Sequence, residues 1–320
     1  MSTRIRQFLR VLLTLVAAFG LLIPIVMTSP ATAEAAVRSC SSSTSVANRP
    51  MLRQGDTGSC VKVLQNLLLA KGYSIGASYA TGTFASGTDF AVRRYQSAYR
   101  SLTIDGIVGP APWSSLVNGG YSKYPISSGP NTSSRVVLTF DDCPKSLSAF
   151  KAAVIGAEKL GIALALFPTG NCISAGRFDA AYARAHGHYV FNHTISHPDL
   201  TDLSYSSAYA QLGSPGVVTN YGRPPGGSYN TLTVRNAYAK RAMRIWTWNV
   251  DTNDWRGKTQ SQVVSYVVTY TKPGNTVLMH MGWNAFNTTA ISQMKSGLAK
   301  RGISVCRNLG ATTQRPTFRC

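Results

Sequence analysis

Beyond residue 134 the apolar positions follow two rhythms in turn. Residues 135–140 form a β-branched, apolar run, and residues 162–167 form a second buried-looking one. Short continuous runs of this kind predict strands covered on both faces. Between them, residues 147–160 carry their apolar positions at helical spacing. The alternation continues with helix over 178–185, extended chain over 188–191 and strand over 243–248. Helix over 260–270, strand over 276–280, helix over 290–299 and strand over 303–306 complete it. Strand–helix alternation predicts an α/β fold built on a parallel sheet or barrel. The working side chains of such folds gather at the carboxyl ends of the strands.

Residues 50–118 read differently. Val61, Leu64, Leu67 and Leu68 share one helical face, and Gly72 ends that helix. Phe90, Ala91, Tyr95, Ala98 and Tyr99 mark a second amphipathic stretch. The turn-rich Asp105-Gly106-Ile107-Val108-Gly109-Pro110 then leads to Trp113 and Leu116. Two or three short helices over this length make a small all-α unit with a minimal core. Residues 119–134 are dominated by Gly, Ser and Pro and read as a linker to a second domain at 135–320.

The first 36 residues belong to neither domain. Arg4, Arg6 and Arg10 precede an apolar run from Val11 to Met27, and small residues follow at 31–36. That order describes a secretory signal peptide, so the chain is expected outside the cell or at its wall. The run is short for a span of ~20 residues and contains Pro24. No later segment is apolar enough to cross a bilayer, so no membrane contact is expected after cleavage.

Composition sharpens this picture. The chain has 32 basic and 12 acidic residues, a net charge of +20. Three basic residues and one acidic residue lie in the leader, which leaves 29 against 11, or +18. Such a field keeps a protein soluble and attracts anionic polymers. No basic stripe interleaved with aromatics is present, so nucleic acid is not an expected partner. The six cysteines, Cys40, Cys60, Cys143, Cys172, Cys306 and Cys320, suit an exported, disulfide-bonded protein. Six cysteines allow 15 connectivities; proximity favours Cys40–Cys60, Cys143–Cys172 and Cys306–Cys320.

Acidic residues are scarce, and four of them pair at predicted strand ends: Asp141 with Asp142, and Asp251 with Asp254. Adjacent carboxylates repel unless a cation or hydrogen-bond donors neutralise them. His193 and His197 stand four apart, a spacing that puts two imidazoles on one side of a helical turn. Two histidines and a carboxylate make a common catalytic zinc set with one open position. His186 and His188 read as structural.

Five motifs then occur in order: Thr139-Phe140-Asp141-Asp142, His193-Thr194-Ile195-Ser196-His197, Arg223-Pro224-Pro225-Gly226-Gly227, Asp251-Thr252-Asn253-Asp254-Trp255 and Leu278-Met279-His280. Through them, residues 134–308 resemble the NodB-homology polysaccharide deacetylases, carbohydrate esterase family four. The resemblance implies an irregular (β/α) barrel of NodB type and a divalent metal, Zn2+ above others. It implies Asp142, His193 and His197 as metal ligands, Asp141 as general base and Arg223 as its partner. His280 becomes the general acid, tuned by Asp254 with Asp251 nearby. Trp255 and Leu278 line a slot for the acetyl methyl, and a backbone N–H near Gly226 meets the developing oxyanion. Residues 50–118 resemble the peptidoglycan-binding domain of wall hydrolases, through the Gly55-Asp56-Thr57-Gly58 start, Val61 to Gln65, Ala91 to Gln96 and Asp105 to Gly109. There Thr81-Gly82-Thr83-Phe84-Ala85 departs from the usual pattern, which has Asp before the glycine and Gly after the phenylalanine.

Three departures fall in the second domain. Gly226 replaces a usual aromatic residue, Cys143 follows the paired aspartates where Gly is common, and Met281 follows His280 where Asp is frequent. Cys143 is read as a disulfide partner of Cys172, with a fourth metal ligand as the other reading. The expected activity is hydrolysis of N-acetyl groups on an amino-sugar polymer, peptidoglycan above others. The alternatives are a chitin oligosaccharide deacetylase, an acetylxylan esterase, or a catalytically silent wall-binding protein. Oligomeric state is not legible.

Overall fold

The computed structural model describes residues 39–119 and 129–320. The predicted signal peptide lies outside the described residues, as do residues 120–128 of the predicted linker. The described residues form one unit by their contacts.

The front segment contains α1 (Ser59–Ala70), α2 (Ser86–Ala98) and α3 (Pro110–Asn118). Their apolar faces meet around Leu64, Leu68, Phe84, Tyr95 and Trp113. Two buried amides organise the turns between them. Gln96 Oε1 accepts from the N–H groups of Asp105 and Gly106, and its Nε2 donates to Ile107 O. Gln65 Oε1 accepts from Gly82 N–H. Each amide satisfies backbone groups that the turns leave without ladder partners. The Cys40–Cys60 disulfide staples the segment's start to α1.

The second segment alternates as expected. It runs β1 (Val137–Asp142), α4 (Leu147–Lys159), β2 (Ala165–Pro168), α5 (Gly170–Ser174), α6 (Ala180–Ala185) and β3 (Tyr189–Val190). Next come α7 (Tyr205–Gln211), β4 (Tyr221–Gly222), α8 (Leu232–Lys240), β5 (Arg244–Ile245) and β6 (Val250–Asp251). The last are α9 (Gln260–Tyr270), β7 (Thr276–His280) and α10 (Thr288–Lys300). The strands lie in the order β3-β2-β1-β7-β6, and β4 pairs with β5 beside them. All these pairs are parallel. A parallel bridge between Asn192 and Gly222 links the two sheets, so the staves curve into an irregular barrel. Residues 303–306, expected as a strand, contribute one parallel bridge, Val305 to Val136.

Strand period places alternate residues on opposite faces. Leu138, Phe140, Val277 and Met279 face outward into the layer beneath the helices. Val137, Ala165, Phe167, Phe191, Tyr221 and Trp246 cluster together in the barrel, with Phe318 and Cys320 packed against them. Thr139 and Asp141 therefore share the inner face with Val137.

The front segment rests on the second one. α2 lies against α8. Buried Asp89 accepts from Arg93 Nε at 2.9 Å and from Lys240 Nζ at 2.8 Å. Arg94 donates to Asn236 Oδ1, and Arg244 Nη2 donates to Tyr99 O and Leu102 O.

Candidate active site

Asp141 and Asp142 end β1, and the register sets Asp141 beside His280 of β7. Neighbouring carboxylates would repel, and the backbone separates them. Asp142 takes a left-handed φ of 72°, so the two side chains meet different partners. Asp141 Oδ1 is buried against Arg223, whose Nη1 donates to it at 2.6 Å. The same Nη1 donates to Thr139 Oγ1 at 2.9 Å, Nε donates to Trp246 O and Nη2 to Thr247 O, both at 3.1 Å. The guanidinium also lies over the Phe167 ring at 4.1 Å. A buried charge is tolerated only when paired and hydrogen-bonded, and Arg223 meets both conditions.

Asp142 Oδ1 lies 3.3 Å from His193 Nε2 and 3.4 Å from His197 Nε2. One ligand atom from each of the three falls within 4.8 Å of the others. The histidines do not sit on a helical turn, as their spacing suggested. They occupy a loop in which Thr194 and His197 have φ of 65° and 62°. Local bonds hold it: Thr194 N–H to Asn192 Oδ1, His197 N–H to Thr194 Oγ1, and the N–H groups of Ile195 and Ser196 to Gln211 Oε1.

His193 Nδ1 lies 2.7 Å from Arg223 O. A carbonyl only accepts, so Nδ1 carries the proton and Nε2 keeps its lone pair. Asp142 Oδ1 is enclosed without a hydrogen-bond partner among the described residues. An unsatisfied buried carboxylate oxygen facing two imidazole nitrogens is an unfavourable arrangement of acceptors, and a divalent cation resolves it. The donor set fits such an ion. Burial by itself would raise the Asp142 carboxyl, but the nearby histidines outweigh it and hold the group at about 2. Burial works against charge on His193, yet Asp141 and Asp142 raise its pKa.

His280 is fixed twice by Asp254. Its Nδ1–H donates to Asp254 Oδ1 at 2.7 Å, and its backbone N–H donates to Oδ2 at 2.9 Å. Burial opposes a charged imidazole here, but the bond to Asp254 and the charge of Asp141 raise His280 above its ordinary value. Asp251 does not join this pair; its Oδ1 accepts from Asn253 N–H at 2.8 Å, in the turn that delivers Asp254. Leu278 is buried two residues before His280, on the same face of β7, whereas Trp255 is 47% exposed. Gly226 has a left-handed φ of 60°, and Gly227 packs so close to Trp248 that a Cβ would lie 2.8 Å from the ring. Cys143 is bonded to Cys172, which excludes it as a metal ligand. Met281 is buried and donates its N–H to Asp141 O at 2.8 Å.

The site also contains residues that sequence reading passed over. Thr139, two before Asp141 on the same face, donates to Val277 O and accepts from Arg223. Strand period alone pointed to it. Asn192 is buried beside His193 and braces the loop from within. Trp248 beneath Gly227 gave no signal.

A parallel barrel with clustered Asp, His and Arg at its strand ends defines a hydrolase-like class of site. The comparisons narrow this. Residues 128–246 match the family described as polysaccharide deacetylase, and residues 57–116 match a peptidoglycan binding domain. A chitooligosaccharide deacetylase of Rhizobium leguminosarum bv. phaseoli is 31% identical over 155 residues, covering 45% of this chain and 67% of that protein. The chain belongs to the polysaccharide deacetylase family. A bifunctional xylanase/xylan deacetylase of Cellvibrio japonicus is 28% identical, over 55% of this chain and 27% of that protein. A peptidoglycan-N-acetylglucosamine deacetylase of Listeria monocytogenes serotype 1/2a (strain 10403S) is 28% identical, over 53% of this chain and 36% of that protein. The chain thus spans about a quarter to a third of the length of these two relatives. The Cys40–Cys60, Cys143–Cys172 and Cys306–Cys320 pairs are all formed, as proximity favoured.

Proposed function

We propose that this protein is an exported, metal-dependent deacetylase that hydrolyses N-acetyl groups of an amino-sugar polymer, peptidoglycan above others. The observation that carries the reading is the enclosed, unpartnered Asp142 Oδ1 between two imidazoles, beside the Arg223-paired Asp141. Asp142, His193 and His197 would hold the ion, and their two nitrogens and one oxygen suit Zn2+. A divalent cation there supplies Lewis acidity, polarising an acyl oxygen and lowering the pKa of water from ~15.7 toward ~7.

The chain's own groups do the rest. Asp141 accepts the proton of the attacking water, with Arg223 Nη1 holding its Oδ1 in place at 2.6 Å. His280 carries its transferable proton on Nε2, because Nδ1–H is engaged with Asp254. It delivers that proton to the departing amine nitrogen, so the amine leaves neutral. The Gly226 N–H has no acceptor among the described residues, whereas Gly227 and Ser228 N–H groups close the turn onto Pro224 O and Pro225 O. A free N–H so placed can donate to the acyl oxygen as charge develops, typically worth ~3–4 kcal/mol. Leu278 and Trp255 would flank the acetyl methyl, and Asp251 acts through the turn that positions Asp254.

The likeness of residues 57–116 to a peptidoglycan binding domain supports the choice of polymer. A wall-bound front segment raises the local concentration of substrate without new catalytic contacts. The deciding experiment measures acetate released by purified protein, with and without chelator, from intact peptidoglycan, chitin oligomers and acetylxylan. Chelator-sensitive release from peptidoglycan is expected to exceed the other two. Release from acetylxylan alone would refute the amide substrate, and inactivity with a full equivalent of bound metal would favour a silent wall-binding role.

A further inference from the structure

The barrel's other end carries a cavity of about 450 Å³ between the starts of β1 and β2. Arg135 precedes β1, residues 160–162 precede β2, and the segment 303–307 runs alongside through bridges to Val136 and Ile162. Six residues of extended chain separate Arg135 from Asp141, so the cavity lies ~20 Å from the catalytic end.

Its charge is one-sided. Arg135, Lys295 and Arg307 line it, and no Asp or Glu does. Neither Lys295 nor Arg307 forms an ion pair among the described residues. Lys295 Nζ donates only to a carbonyl, Leu160 O at 2.7 Å. Arg135 Nη1 reaches Cys320 O at 3.5 Å, and its Nε is sealed from solvent without an acceptor. The Arg307 side chain has no partner among the described residues. Lys295 and Arg307 face one concavity without a counter-charge, which an anion would supply. Between the cations the wall is apolar: Leu160, Ile162, Ile303 and Val305. The occupant therefore has an oxyanion and a carbon body. Arginine's planar fork matches the oxygens of phosphate as it does those of carboxylate, and lysine adds a point charge that suits phosphate.

We propose that this cavity binds a phosphodiester segment of an anionic polymer, as a second anchoring site independent of the catalytic reading. A polymer held there leaves the strand ends at Asp141 and His280 free for glycan.

The test uses the full chain and calorimetric titration with poly(glycerol phosphate), then with inorganic phosphate as competitor. Wild type is expected to bind the polymer, and phosphate to displace it. The double variant Lys295→Glu/Arg307→Glu should bind roughly tenfold or more weakly. Lys145→Glu/Lys151→Glu, with the same change in charge elsewhere on the second segment, should stay close to wild type. Equal losses in both double variants would reduce the effect to net charge and overturn the proposal. A carboxylate polymer such as polygalacturonate binding as tightly as poly(glycerol phosphate) would overturn the phosphate assignment. Should the double variant fold poorly, Arg307→Gln removes one charge and no hydrogen bond. Phosphate should raise the wild-type Tm above an equal ionic strength of chloride, and raise it less in Arg307→Gln. An equal rise in both, or none in wild type, counts against the site.

Discussion

Asp142, Thr194, His197 and Asn253 surround the site in left-handed conformations, although none is glycine. Each such residue costs of order 1–3 kcal/mol and persists only where its surroundings impose it. Here the imposed geometry aims the side chains of Asp142 and His197 at one point. Substitutions separate the roles. Asp141→Asn is expected to retain bound metal, measured by mass spectrometry or elemental analysis, and to lose at least ~100-fold in turnover. His193→Ala should lose both metal and turnover; metal affinity retained there would contradict its assignment as a ligand. Asp141 and Asp142 raise the His193 pKa against the effect of burial, so protons compete with a metal ion for its Nε2 lone pair. Apparent metal affinity should therefore fall as pH falls, which titration against a competing chelator would read. For His280 the sign runs the other way. Its pKa is raised partly by Asp254, and a general acid works only while protonated, so Asp254→Asn should move the alkaline limb of the kcat profile to lower pH. At this scale residue identity was legible and backbone conformation was not. The pairing of Asp141 with Asp142 stood out because acids are rare, but nothing marked Asp142 as left-handed. A four-residue spacing of histidines fits a loop as well as a helix, and the loop won because Asn192 and Gln211 satisfy its N–H groups.

Long periodic elements were legible nearly to the residue: the helix expected over 147–160 is Leu147–Lys159, and that over 260–270 is Gln260–Tyr270. The two-residue strand β4 is too short to show alternation, so the stretch 200–242 gave no pattern before its structure, and β6 was likewise not legible. Asn192, His188 and their like do the joining there instead. His188, read as structural, is buried between β2 and α4: Nδ1 accepts from Leu164 N–H at 3.0 Å, so Nε2–H donates to Val154 O at 3.0 Å. Both ring nitrogens are engaged only in the neutral form, and burial depresses the group from 6.5 to about 4. The unfolded chain takes up the proton first. Stability is therefore full above about 6.5, declines as pH drops, and the loss is complete once pH passes about 4. The whole shift corresponds to about 3 kcal/mol. His188→Gln, which cannot titrate, should flatten the dependence of Tm on pH across that window. An unchanged slope would place the acid sensitivity elsewhere.

The whole molecule differs from a pair of beads on a string. A Gly-, Ser- and Pro-rich stretch after residue 118 reads as a tether, yet the front segment meets the barrel through Asp89–Lys240, Arg94–Asn236 and the two carbonyls held by Arg244. Phe90 adds an edge contact with Tyr205 at 5.1 Å. Hydrophobic period could not reveal this contact, because apart from Phe90 and Tyr205 it is made by charged and amide side chains and backbone carbonyls. A protease site inserted within residues 120–128 tests it. After cutting, the two pieces should still co-elute on gel filtration at low salt, because no disulfide is needed to join them. Lys240→Glu together with Arg244→Ala should let them separate.

Such a mount has a consequence for the product. A sliding leash would scatter modified sugars at random around each anchoring point. A stiff bracket works as a caliper, so under the proposed wall binding free amines should recur at a set offset along the glycan, and mapping them on partly digested strands would reveal the gauge.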